Sequence, residues 1–115
     1  MKDFRELDVL HAAHDLVVEI HDISQSFSND DNFAVGRSIA RTALAIPRSI
    51  VHGCGRGGDP ELAQGIETAA GYTCELEYLV LLAGEIGLID EETLEELAGS
   101  LGDFKQRLTD ELAEL

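Results

Sequence analysis

The sequence predicts an all-α fold, an up-and-down antiparallel four-helix bundle. Two observations carry this. Four segments repeat apolar residues at helical spacings of three and four, and no stretch alternates as a strand does. The breaks between segments are short, which makes successive helices antiparallel.

The first segment runs from about Asp3 to Ser26, with Val9, Ala13, Leu16, Ile20, Ile23 and Phe27 on one stripe. A polar turn follows, Ser28-Asn29-Asp30-Asp31-Asn32, and Asn32 suits the cap of the second helix. Val35, Ile39, Ala43, Ile46 and Ile50 continue the pattern there. Pro47 stands inside it and predicts a bend or a split. The glycines from Gly53 to Gly58 predict an interhelical turn, since each weakens a helix by about 1 kcal/mol relative to alanine.

The third helix has a cap candidate in Asp59, with Pro60 and Glu61 fitting a first turn. Its seam is Leu62, Ile66, Ala69, Thr73, Leu76, Val80 and Ala83. A second stripe, Tyr72, Leu79 and Ile86, lies beside that seam and predicts a subunit interface, because one bundle neighbour cannot cover both flanks. After the turn Gly87-Leu88-Ile89, the fourth helix opens at Asp90 with Glu91 and Glu92. Its apolar face is Leu94, Leu97, Leu101, Phe104, Leu108 and Leu112.

The 115 residues form a single expected domain spanning 1–115. The longest apolar run, Leu79 to Ala83, is far short of a membrane span. The charged N-terminus has no signal region, so the expected compartment is the cytoplasm, without membrane association. Cys54 and Cys74 are expected as free thiols there.

Charge is unevenly distributed. Residues 1–31 hold two bases and eight acids, and residues 59–115 hold two bases and fifteen acids. Residues 32–58 hold four arginines and no acid, within a chain of net charge −15. Arg37, Arg41, Arg48 and His52 fall within about 60° of one another on a helix, and Arg56 follows. This stripe has two readings. It pairs with Glu75, Glu77, Glu85 or the acids of the fourth helix, within or between subunits, or it contacts a nucleic-acid backbone. The net charge and the lack of interleaved aromatics favour the first.

Other chemistry is weakly signalled. His11, His14 and His21, with Asp8, Asp15 and Glu19, could supply metal ligands, but a di-iron bundle needs Glu-x-x-His on two helices, and no such pair occurs. Gly53-x-Gly55-x-x-Gly58 matches a dinucleotide fingerprint only as a string, because a helix rather than a strand precedes it. Cationic neighbours His52 and Arg56 would activate Cys54, but nothing supplies an oxyanion hole. The expectation is no enzyme, no metal and no cofactor.

Several short elements resemble, in order, those of the four-helix-bundle family encoded in intervening sequences of bacterial 23S rRNA genes. They are Met1-Lys2-Asp3-Phe4-Arg5, Ala13-His14, Arg41 through Pro47, Ser49-Ile50-Val51-His52-Gly53, Gly55-Arg56, Gly71, Glu75-Leu76-Glu77 and Leu88-Ile89. The accessory proteins of diversity-generating retroelements are similar in fold. Ser49, His52 and Tyr72 depart from the family's Asn, Glu and Ser, so any polar network built on those residues differs here. The resemblance implies a homopentameric barrel with a central pore and no established enzymatic activity. Its retroelement branch implies a reverse-transcriptase or nucleic-acid partner as the alternative to a protein partner. A pentamer would carry five times −15, so acidity alone predicts an assembly that added salt strengthens.

Overall fold

The computed structural model describes residues 2–27 and 33–115. Within them are a 3-10 turn, Phe4–Glu6, and four helices: α1 (Asp8–Ser24), α2 (Phe33–Gly55), α3 (Asp59–Glu85) and α4 (Glu91–Glu114). No strand occurs among the described residues. The polar turn 28–32 and the Asn32 cap lie outside them.

Each helix packs on its chain neighbours, and α1 also packs on α4. The diagonal pairs, α1 with α3 and α2 with α4, do not meet among the described residues. Side-chain contacts fix the directions. Lys105 Nζ reaches Glu77 Oε1 at 3.1 Å and Leu94 covers Gly84, so α4 runs against α3. Ser100 Oγ lies 3.3 Å from Glu19 Oε2 and Arg107 Nη2 lies 3.4 Å from the Asp8 carbonyl, so α4 also runs against α1. One buried cluster joins all four helices through the predicted stripes, including Ala13, Leu16, Ile46, Ile50, Ile66, Leu76, Leu101 and Leu108.

The structure corrects four local expectations. Helix α1 starts at Asp8 rather than Asp3, because the Asp3 carboxylate accepts from Arg5 N–H at 3.0 Å and caps a separate turn. Leu7 then turns extended, with φ −85° and ψ 117°. Helix α2 runs on through Pro47, so of the bend and the split expected there the split does not occur. The helix also absorbs Gly53 and Gly55, leaving only Arg56–Gly58 as the turn. Gly53 serves packing together with Gly65: a Cβ on Gly53 would lie 2.7 Å from the Glu61 carbonyl oxygen, and one on Gly65 would lie 2.6 Å from that of Ser49. The backbones of α2 and α3 therefore touch where neither carries a side chain, which outweighs glycine's low helix propensity. Finally, Gly58 rather than Asp59 is the cap residue of α3, and no side chain caps it.

The α3–α4 turn follows its sequence signals. Gly87 takes φ +77°, open to glycine at no steric cost. Leu88 N–H donates to the Ala83 carbonyl at 2.9 Å and Gly87 N–H to that of Gly84 at 3.3 Å, a Schellman closure. Asp90 then accepts from Thr93 N–H at 2.8 Å, capping α4. Hydrogen bonds from the Thr93 side chain and backbone hold the Asp90 carboxyl below its usual pKa. The lowered value means that this stabilisation is present above the ordinary carboxylate pKa and is lost as pH falls through the folded one. Asp90→Ala is expected to lower the unfolding temperature at neutral pH, and Asp90→Ser to restore most of it. The Asp90→Ala deficit should shrink in acid, as thermal melts followed by circular dichroism at two pH values will show.

Candidate functional site

The outer face of the α2–α3 pair brings together four of the candidate residues, Arg48, His52, Arg56 and Tyr72. A groove of about 740 Å³ is lined by Leu44, Pro47, Arg48, His52, Arg56 and Tyr72, among others. None of its lining residues is acidic, although 23 of the 115 residues are Asp or Glu. Arg56 is positioned by Gln64, whose Oε1 accepts from Nη2 at 3.0 Å. Arg41 and Arg48 are exposed and make no ion pair or hydrogen bond among the described residues. Arg37 and Arg41 lie on α2 outside this groove.

Within one chain and among the described residues, Arg41 and Arg48 do not form the expected pairs with acids. Glu77 bonds Lys105 on α4, and this hydrogen bond, with Glu77's negative charge, raises the ammonium pKa. The physical reason is side. Lys105 comes from α4, which packs against α3 away from α2, and Glu77 is on the same flank as Gly84, the flank that meets α4.

The interface stripe divides. Leu79 is half-buried against the core, whereas Tyr72 and Ile86 are exposed at 37% and 39%. Sequence reasoning missed Tyr78 and Leu81, exposed at 63% and 58%. Their signal was the uninterrupted run Tyr78 to Ala83, since consecutive apolar residues cannot all face one side of a helix.

The opposite long side of the bundle, between α1 and α4, is acidic. One groove of about 460 Å³ is lined by Glu6, Asp8, Asp110, Glu111 and Glu114 with a single base, Arg107. Burial and the nearby Glu114 push the Glu111 carboxyl above its ordinary pKa.

The remaining candidates do not converge. His11 Nε2 lies 2.7 Å from the Arg5 carbonyl, and His21 faces Gln25, the C-cap residue of its own helix. Among the described residues no three His, Cys, Asp or Glu side chains are placed to share a metal ion. Cys54, weighed as a nucleophile, is buried and donates to the Lys2 carbonyl at 3.0 Å, so it faces the N-terminal segment instead of solvent. Glu61 keeps one buried oxygen, Oε2, without a hydrogen-bond partner, in the first turn of α3, where the helix dipole favours negative charge. No helix among the described residues is long and apolar enough to cross a membrane.

The fold and its surface define a four-helix protein whose distinguishing features are its exposed faces rather than an enclosed pocket. The chain belongs to the family of 23S rRNA-intervening sequence proteins, whose model matches residues 5–110. It is also similar in fold to a crystal structure from Bacteroides thetaiotaomicron VPI-5482, a protein with unknown function from the S23 ribosomal protein family. That likeness has a TM-score of 0.81 at 17% identity, over 90% of this chain and 97% of the other. No curated protein matches the chain.

Proposed function

We propose that this up-and-down bundle is a non-enzymatic cytoplasmic scaffold or adaptor that works as a homopentamer and presents its ring surface to a protein partner. The observation that carries this reading is the concentration of exposed apolar side chains on α3: Tyr72, Tyr78 and Leu81 on the helix, and Ile86 at its C-cap. In a chain this acidic, such a helix gains by covering those groups. Copies of the same chain are the cover that the family resemblance implies.

A second reading, a nucleic-acid or reverse-transcriptase accessory role through Arg37, Arg41, Arg48, His52 and Arg56, is favoured by one observation. Arg41 and Arg48 make no ion pair within the described chain, which leaves their charge available to phosphates. The net charge of −15 opposes it.

Light scattering with absorbance at 260 and 280 nm tests both. The expected result is a mass near five chains of 12.5 kDa, with no excess at 260 nm. Two tyrosines and no tryptophan make the chain a weak absorber, so bound nucleic acid would dominate the trace. A pentamer with a strong 260 nm excess would move the assignment to the second reading. A 12.5 kDa monomer would overturn the scaffold.

A further inference from the structure

The charges of this bundle are sorted by side. Because, of the α-helices and among the described residues, α1 meets only α2 and α4, and α3 meets only the same two, the α2–α3 face and the α1–α4 face lie on opposite sides of the bundle. The α2–α3 face carries Arg48, His52 and Arg56 around Leu44, Pro47 and Tyr72. The α1–α4 face carries Glu6, Asp8, Asp110, Glu111 and Glu114.

Both patches also sit at the same end of the bundle. Lys2 Nζ bonds Asp59 Oδ1 at 3.3 Å and the Lys2 carbonyl accepts from Cys54, which places the N-terminus beside the end of α2 and the start of α3. Arg107 reaches the Asp8 carbonyl, which brings the last turns of α4 to that same end.

We propose that the basic α2–α3 groove of one copy docks on the acidic α1–α4 groove of the next. This rests on the self-assembly reading above and names its contact. The occupant is a second copy because the complementary surface is on the chain itself, at the matching height. Unlike faces at one height give a heterologous, head-to-tail contact, which closes into a ring where the two faces are inclined to each other by that ring's rotation and runs on as an open array where they are strictly opposite. An isologous contact through either groove would set like charges together. The groove also has the anatomy of an interface, with Leu44, Pro47 and Tyr72 as an apolar centre and Arg48, His52 and Arg56 as a charged rim. In the isolated chain, burial, Glu114 and Asp8 raise the Glu111 pKa against the opposing charge of Lys2, as in a cluster where acids outnumber bases.

The proposal reverses the salt dependence expected from net charge alone. Attraction between unlike faces weakens as salt shortens the Debye length, so raising NaCl from about 0.05 to about 0.5 M should shift assembly to higher protein concentration.

The decisive experiment is a charge exchange followed by light scattering, with far-UV circular dichroism to confirm that each variant is helical. Arg48→Glu with Arg56→Glu is expected to reduce the oligomer to monomer, and so is Asp110→Lys with Glu114→Lys. All four substitutions in one chain should restore the oligomer, which mere loss of folding would not do. A wild-type oligomer that salt strengthens, or that either reversal leaves intact, would overturn this contact while self-assembly stood. Loss of a 260 nm signal from Arg48→Glu with Arg56→Glu at unchanged protein mass would overturn it in favour of nucleic acid. A monomeric wild type would overturn both readings.

Discussion

Gly65→Ala is expected to destabilise the protein by roughly 2 kcal/mol or more, although alanine is the better helix former by about 1 kcal/mol. The new Cβ would stand 2.6 Å from the Ser49 carbonyl oxygen and 3.0 Å from Gly53 Cα. Both are backbone atoms, so no side chain can rotate away, and α2 and α3 must separate. Separation loosens the contacts of their buried neighbours, Ile46, Ile50, Leu62 and Ile66. Gly53→Ala meets the same obstacle from the other helix, and the double variant should cost less than the sum of the two, because one separation relieves both clashes. Gly99→Ala and Gly102→Ala on α4 are the controls. Nothing lies within 4 Å of their added Cβ atoms, so each should stabilise by about 0.5 to 1 kcal/mol. Urea unfolding followed by circular dichroism measures all five. A Gly65→Ala midpoint equal to that of the parent would refute the close-crossing argument.

That crossing also marks where the sequence was legible and where it was not. The seams were legible because burial imposes a period: every seam residue expected on α3, from Leu62 to Ala83, is buried. The α4 start was legible because Asp90 caps through its own side chain, a local interaction. Gly53 was misread because its requirement is tertiary. Local propensity assigns a glycine to a turn, and only the proximity of Gly65, twelve residues away, shows that it admits a helix. Pro47 follows the same logic, since α2 remains helical around it under the packing of Ile46 and Ile50. For the candidate site, the basic stripe was readable from spacing. Its union with Tyr72 in one groove was not, nor was the acidic groove opposite, because each is assembled from two helices.

Leu101→Ala is expected to cost about 2 to 5 kcal/mol, a large share of the 5 to 15 kcal/mol typical of a domain. Leu101 is fully buried, between Leu97 and Phe104 on the only apolar stripe of α4. The rest of that helix is largely acidic and exposed, so the stripe is its anchor. A cavity at the middle of the stripe cannot be filled from the polar side. The α1–α4 packing is the sparsest among the four neighbouring pairs, so α4 should open there before the α2–α3 pair does. Hydrogen exchange should therefore show α4 amides losing protection in Leu101→Ala while Ile46 and Ile66 amides keep more of theirs. Loss of protection in equal measure across all four helices would mean that α4 is no separate unit. The functional consequence runs through the same helix. Asp110, Glu111 and Glu114 are held in place by the last turns of α4. If copies dock through the proposed contact, Leu101→Ala should weaken it without altering a single charge, whereas Glu95→Gln, on the exposed side of α4, should leave both stability and mass within error.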